Sequence, residues 1–270
     1  MTIFQAIIFG VVQGVTEFLP ISSTAHLILL PWFLGWPDPG LSFDVALHLG
    51  TLVALLIYFR KDWIDLIAAS LNLLRGRTSD PNARMALFIV VATIPGALAG
   101  LLLESYVETA LRSPMLIALM LSLMALVLVV AEMKGRRKQN LEDISWRDAI
   151  IVGLAQAFAL VPGVSRSGST ITAALFVGMK RETAARFSFY LSAPIIAGAV
   201  GKKLLDIFQV GLTPDQLMPF IVGIVSAGIV GYLSIAFLLR YLQTHNTFLF
   251  VYYRIALSVV VFLAFWLGFR

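Results

Sequence analysis

The chain has 270 residues, 59% of them hydrophobic and 13% charged, with a mean hydropathy of +0.91. This excludes a soluble globular fold, because several apolar runs approach the ~20 residues that cross a bilayer. The net charge of +5 and the pI of about 9.6 are read as Lys and Arg in cytoplasmic loops, not as a nucleic-acid surface; the lack of cysteine removes disulfides and thiolate metal sites.

The N-terminal "MTIFQAIIFGVVQG" carries no basic run, so no cleaved signal peptide is expected. The first forty residues read as an apolar arm, a polar "LPISSTAH" and a second apolar arm, broken by "WPDPG". An apolar stretch at 43–59 then leads to the basic "RKDW" at 60–63, and "RGRTSDPNAR" follows at 75–84. Spans at 85–103 and 115–131 flank "ESYVETALRSP", which is neutral to acidic as an outer loop should be. The basic "KGRRKQNLEDISWRD" at 134–148 returns the chain to the cytoplasmic side.

Beyond it lie an apolar segment at 149–161, the polar "PGVSRSGST" at 162–170, a short apolar arm and a basic run at 180–186. Basic residues at both ends make residues 149–180 a segment that enters and returns on one side. Stretches at 187–201, 219–239 and 248–269 complete six spans. The expected fold is therefore an all-α polytopic membrane protein, with six transmembrane helices plus two re-entrant helical hairpins.

An internal likeness adds to this. "GVVQGVTEFLPISS" at 10–23 resembles "GLAQAFALVPGVS" at 153–165, and aligning Gln13 with Gln156 puts Ser22 on Ser165. Three spans lie between the hairpins, so the second unit is inverted, as in an inverted-topology repeat. Residues 1–270 form a single integral membrane domain: repeat 1 at about 1–131, repeat 2 at about 149–270, and a cytoplasmic linker at about 132–148. Both termini are placed outside. Small residues in "GIVSAGIVG" at 223–231 can form a packing face, within the chain or between the copies of a homodimer.

Ionisable groups inside a membrane are costly and point to function. Here they are Glu17, His26, His48 and Arg166. Gln13 and Glu17 are four apart and share a helix face. Pro20 ends that helix, Ser22 and Ser23 suit the cap of the next, and His26 follows on Ser23's face. A carboxylate, an imidazole and a hydroxyl converging on Ser23 can activate a nucleophile; the plainer reading has the serines only capping and Glu17 only neutralising Arg166. In the second motif, Ser165, Ser167, Ser169, Thr170 and Arg166 open a helix N-terminus. Free N–H groups, hydroxyls and a planar guanidinium there form a phosphate cradle. Two facing cradles suit a diphosphate, and a single carboxylate suits Mg²⁺ held jointly with substrate phosphates. His48 reads more simply as a core or pore histidine, Asp38 and Asp44 as interfacial residues, and the five Trp as an aromatic belt.

The chain resembles the undecaprenyl-diphosphatase family, also called bacitracin resistance proteins. "QGVTE" at 13–17 with "FLPISSTAH" matches that family's (E/Q)xxxE motif, and "PGVSRSGST" at 162–170 matches its PGxSRSxxT. The likeness extends to "FSFYLSAP" at 187–194 and the C-terminal "YYRIAL". Gln13 stands where some members carry Glu, so it cannot act as acid or base, and Glu17 must.

The resemblance implies a multi-pass enzyme of the bacterial inner membrane. It would remove the terminal phosphate of undecaprenyl diphosphate, return the lipid carrier to peptidoglycan synthesis and confer bacitracin resistance. It also implies a site open to the periplasm and support by a divalent cation, Mg²⁺ or Ca²⁺. The expected roles are Ser23 as nucleophile, Glu17 or His26 as base, and Arg166 stabilising transferred charge. Gln13, Ser22, Ser165, Ser167 and Thr170 would bind phosphate, and Glu17 would share the metal. Direct attack by water, and a polyprenyl-phosphate carrier built on the inverted repeat, are the competing readings.

Overall fold

A computed structural model describes residues 1–74, 80–211 and 213–269. These residues are helical, with no strand among them. The α-helices are α1 (Ile3–Phe18), α2 (Ser23–Leu34), α3 (Leu41–Tyr58), α4 (Arg60–Leu74), α5 (Pro81–Ala110), α6 (Pro114–Lys134), α7 (Trp146–Ala157), α8 (Arg166–Val177), α9 (Arg181–Val210), α10 (Pro214–Thr244) and α11 (Phe248–Trp266). Short 3₁₀ turns occupy Leu141–Asp143 and Phe158–Leu160.

Six of these, α3, α5, α6, α9, α10 and α11, are long and apolar enough to cross a membrane. They coincide with the six expected spans. The molecule is a membrane protein on this ground. Exposed apolar residues recur every three or four positions on their outer faces, as at Val90, Ile94, Leu98 and Leu101 of α5 and Ile221, Val225, Ile229 and Leu233 of α10. A helix facing hydrocarbon carries such a stripe.

Five helices are too short to span, among them α4 with 15 residues. Helices α2, α7 and α8 have 12 residues each and α1 has 16. At about 1.5 Å per residue they reach roughly 18–24 Å, less than the ~30 Å hydrocarbon core. Of these, α8 is enclosed: every residue from Ser167 to Leu175 is buried.

Close backbone approaches set the packing. Helix α1 lies along α10, where a Cβ on Gly14 would come within 2.7 Å of Val230 Cβ and 2.8 Å of the Gly231 nitrogen. Gly223, Ala227 and Gly231 of α10 are buried, and Phe43 and Leu47 of α3 crowd Gly223. The small-residue stripe at 223–231 is thus used within the chain, against α1 and α3. Helix α7 presses on α5 in the same way, with Gly153 against the Ala92 backbone. Ala25 and Leu29 of α2 pack with Ile117, Ala118 and Leu121 of α6 and Val261 of α11.

Two segments differ from the sequence reading. Residues 60–74, of which only the basic 60–63 has a place in the sequence reading, form α4, whose exposed Ile64, Ile67 and Leu71 lie opposite buried Leu66 and Ala69. Its low mean apolarity hides an amphipathic 3.6-residue period. The expected outer loop at 104–114 is mostly the continuation of α5 to Ala110, and only Leu111–Ser113 separate α5 from α6. Of the basic stretch at 75–84, residues 75–79 lie outside the described residues.

Candidate active site

The chain breaks its helices twice in the same way. Helix α1 ends at Phe18, and the turn through Leu19, Pro20 and Ile21 leads to Ser22, the N-cap of α2. After α7 and its 3₁₀ turn, Pro162, Gly163 and Val164 lead to Ser165, the N-cap of α8. Both serines hold positive φ, 75° at Ser22 and 74° at Ser165. That region is strained for a non-glycine residue and costs on the order of 1–3 kcal/mol. Each serine hydroxyl offsets it by capping: Ser22 Oγ accepts from the Ala25 N–H at 3.3 Å, and Ser165 Oγ from the Gly168 N–H at 3.0 Å. Each following helix ends in a left-handed glycine, Gly35 and Gly178.

The two breaks interlock. The Gly163 N–H donates to Ser22 Oγ at 3.3 Å, and Ser167 Oγ donates to the Leu19 carbonyl at 2.9 Å. Gly163 must be glycine: its φ is +94° and a Cβ would meet the Ile117 carbonyl oxygen at 2.6 Å.

Glu17 stands at the junction, with its side chain 1% exposed. Its Oε1 is ion-paired with Arg166 Nη2. Its Oε2 accepts from Ser23 Oγ at 2.7 Å and Gln13 Nε2 at 3.0 Å, and His48 Nε2 lies 3.3 Å away. Arg166 Nη1 also donates to the Ser192 carbonyl at 3.2 Å. A hydroxyl held on a carboxylate, beside a guanidinium and two helix N-termini, is equipped to attack an anionic centre and to stabilise its charge.

The other expected residues fall into two groups. Ser22 and Ser165 are caps. Ser167 and Thr170 are buried and committed to protein partners: Thr170 Oγ1 donates to the Arg166 carbonyl at 2.7 Å and lies 2.6 Å from Ser188 Oγ. Ser165 Oγ is 3.2 Å from Ser167 Oγ. These hydroxyls shape the turn that presents Arg166. Ser23, half-buried at the start of α2, is the hydroxyl left near Glu17.

His26 does not converge on Ser23. Its Nδ1–H donates to the Ser22 carbonyl at 2.7 Å, and its Nε2 lies 2.6 Å from the Tyr253 hydroxyl, with the two rings nearly parallel. The imidazole beside the carboxylate belongs to His48, from a different helix. Asp44, read as interfacial, is buried on α3, whereas Asp38 is exposed and paired with Arg112 at 3.0 Å.

Sequence reasoning missed Arg254. It lies inside α11 and is fully buried. Its Nε donates to the Leu121 carbonyl at 3.1 Å and its Nη1 to Pro20 at 3.0 Å. Its Nη2 donates to Gly163 at 2.8 Å and Val164 at 3.1 Å. One guanidinium thus clamps the carbonyls of both turns. The signal was available: a lone arginine in "FLFVYYRIALSVVVFLAFW" is an intramembrane charge that needs partners.

Glu17 as placed does not fit a metal ligand. Three donors face its Oε2, a guanidinium holds its Oε1, and a second cation would be repelled by Arg166. Among the described residues no group of three or more His, Asp or Glu side chains is arranged to hold an ion.

Comparison with known proteins gives the family of the chain. The family model described as bacitracin resistance protein BacA matches residues 6–260. The chain belongs to the BacA family. Its similar relatives include proteins named undecaprenyl-diphosphatase. One, from Moorella thermoacetica, is 53% identical over 269 residues, covering 99% of each chain. Another, from Pelotomaculum thermopropionicum, is 50% identical over 262 residues, covering 97% of this chain and 96% of the relative. The protein of Geobacter sulfurreducens is 47% identical over 256 residues, covering 94% and 95%. The likeness covers α1 to α11, and so includes both helix breaks of this BacA-family chain.

Proposed function

We propose that this chain hydrolyses undecaprenyl diphosphate to undecaprenyl phosphate and phosphate, a phosphoric anhydride hydrolysis that recycles a lipid carrier for peptidoglycan synthesis and confers bacitracin resistance. One observation carries the reading: Ser23 Oγ donates to Glu17 Oε2 at 2.7 Å while Arg166 holds the other carboxylate oxygen. Nucleophile, base and anion-binding group are thus within one hydrogen-bonded unit. The names and identities of the relatives support the substrate.

In this reading the terminal phosphate draws the Arg166 fork and the α2 and α8 N-termini onto its oxygens. Ser23 Oγ attacks the terminal phosphorus. The Oγ–P bond forms, the anhydride P–O bond breaks, and undecaprenyl phosphate leaves. The serine proton passes to Glu17 Oε2. Water then attacks the phosphoserine, the P–Oγ bond breaks, the proton held by Glu17 Oε2 returns to Ser23 Oγ, and the water oxygen and its hydrogens leave with the phosphate. His26, tied to Ser22 and Tyr253, supports the turn. A divalent cation, Mg²⁺ or Ca²⁺, would neutralise diphosphate charge if it entered with the substrate; Glu17, already held by Arg166, Ser23 and Gln13, would not be its ligand.

We further propose that α1–α2 and α7–α8 are re-entrant hairpins of an inverted repeat, with the site open to the periplasm in the bacterial inner membrane and both termini on that side. The helix lengths and the matching serine caps support this.

The test is phosphate release from undecaprenyl diphosphate by detergent-purified wild type, Ser23→Ala and Arg166→Ala. Wild type should turn over and both variants should lose at least about a hundredfold, the lower range for removing a nucleophile's base or an oxyanion donor. Acid-quenched wild type should carry substrate-derived phosphate on Ser23. Rapid turnover without label would replace serine attack by direct attack of water. Full activity of Ser23→Ala would refute the site.

A further inference from the structure

The proposed chemistry leaves one group beside the carboxylate without a part. His48 comes from α3, which belongs to neither broken-helix pair. Its Nδ1 lies 2.7 Å from the Asp44 carbonyl, one turn earlier on the same helix. A carbonyl only accepts, so Nδ1 carries a hydrogen and the ring plane is set. Nε2 then faces Glu17 Oε2 at 3.3 Å, and it meets a carboxylate as an N–H donor. Helix α3 is a rigid support for this ring. Two residues on, Gly50 lies against α10, where a Cβ on Gly228 would come 3.2 Å from the Gly50 carbonyl oxygen.

We propose that His48 is a positioning residue of the hydrolytic site: its Nε2–H holds Glu17 Oε2 in line with Ser23 Oγ. The proposal rests on the reading of Ser23 as nucleophile and Glu17 as its base. The need for such a group follows from Arg166. A guanidinium prefers to engage both oxygens of a carboxylate through its parallel N–H groups. Only one oxygen is so engaged here, and the other is kept for Ser23. The donors that oppose collapse onto Arg166 are His48 and Gln13. Gln13 is a neutral amide on the same helix as Glu17 and moves with it. His48 anchors the carboxylate to a separate helix. Without it, Oε2 is free to turn toward Arg166 in the resting site and away from Ser23 once phosphate has drawn Arg166 off, and the serine hydroxyl lacks an aligned acceptor. His48 acts on the carboxylate rather than on the phosphate, so its loss is read in kcat rather than KM.

Two amide substitutions separate this role from simple packing. The amide nitrogen of His48→Gln falls near the position of Nε2 and keeps the donor to Glu17. That of His48→Asn falls near Nδ1 and keeps only the bond to the Asp44 carbonyl. With His48→Leu, both are assayed for phosphate release from undecaprenyl diphosphate across substrate concentrations, alongside melting temperature and gel-filtration profile. We expect His48→Gln to stay within about threefold of wild-type kcat. His48→Asn and His48→Leu should lose about ten- to a hundredfold in kcat at unchanged KM, a part of the 10²–10⁴ that a positioned base contributes. Wild-type kcat in His48→Asn or His48→Leu overturns the proposal. So does an equal loss in all three variants that follows their melting temperatures, or a loss confined to KM. Absence of release by wild type refutes the hydrolytic reading itself and takes this role with it, whereas release by wild type and an unimpaired His48→Leu refutes only the role of His48.

Discussion

Replacing Arg254 by Met tests whether one buried guanidinium holds both helix breaks. Methionine keeps an unbranched side chain as far as the position of Nε and removes every N–H donor. Four carbonyls, those of Pro20, Leu121, Gly163 and Val164, then lose a donor in a fully buried place. A buried acceptor left unpaired costs about 1–3 kcal/mol. Gly163 and Val164 share one nitrogen, and turns can relax, so the sum falls short of four full penalties. It should still reach the upper tail of single substitutions, about 4–5 kcal/mol. For a chain of this size that corresponds to a fall in melting temperature of roughly 10–15 °C. Lysine, a point donor on a flexible stem, can serve one or two of the carbonyls and should fall between. Melting followed by tryptophan fluorescence in detergent reads the stability, and phosphate release well below both transitions reads the site. Turnover should drop in still-folded Arg254→Met, because Pro20 precedes Ser22 and Ser23 while Gly163 and Val164 precede Ser165 and Arg166. Melting within about 2 °C of wild type, less than 1 kcal/mol on the same scale, with unchanged turnover would show that the clamp holds nothing.

Three more outcomes are expected. Glu17→Gln should abolish turnover by at least about a hundredfold, while His26→Gln should cost less than about tenfold, since only Glu17 is placed to act as base; equal losses in the two would restore His26 as a catalytic group. Gly14→Ala should lower both melting temperature and phosphate release by forcing α1 off α10, at about 1–3 kcal/mol for overpacking, and wild-type behaviour would show that the close approach near Val230 and Gly231 is dispensable. Calorimetric titration of Mg²⁺ into substrate-free protein should give no saturable heat at concentrations that support turnover, and a defined protein site in that experiment would return the cation to Glu17.

The six spans were legible because hydrocarbon demands long apolar runs, and α3, α5, α6, α9, α10 and α11 each satisfy that demand locally. The two breaks were legible because Pro20, Pro162 and Gly163 cannot continue a helix. Helix α4 was hidden because average apolarity is the wrong measure for a helix with one polar face. The site was legible only in part. Glu17, Ser23 and Arg166 announce themselves as costly or reactive groups near helix breaks. The choice between His26 and His48 depends on ring direction, which chain order does not carry. His26 is three residues from Ser23 yet turns to Tyr253, and His48 reaches Glu17 across a helix interface. Arg254 stands in the quoted "YYRIAL", but its role is not legible there, because its partners are backbone carbonyls that have no signature in the sequence.

The permanent cation in the "SRSGST" turn is tolerated because it has a counter-ion. Glu17 and Arg166 neutralise each other where neither could stand alone, since an unpaired buried charge costs several kcal/mol. The same pairing restrains the chemistry. While Arg166 holds Oε1, the guanidinium is engaged with the carboxylate. A terminal phosphate carries more charge and more acceptor oxygens than a carboxylate, and it binds the guanidinium fork at least as well. In the proposed reaction its arrival draws Arg166 away and leaves Glu17 held by Gln13, Ser23 and His48 alone. The carboxylate then exchanges two cationic partners for one, the doubly protonated His48 ring, at the moment a phosphorus atom comes within reach of Ser23, and its Oε2 is free to take the serine proton. Binding the anion and arming the base are thereby a single exchange of partners at Arg166. The two turns interlocked through Ser22, Gly163, Ser167 and Leu19 keep the exchanging groups on one rigid unit.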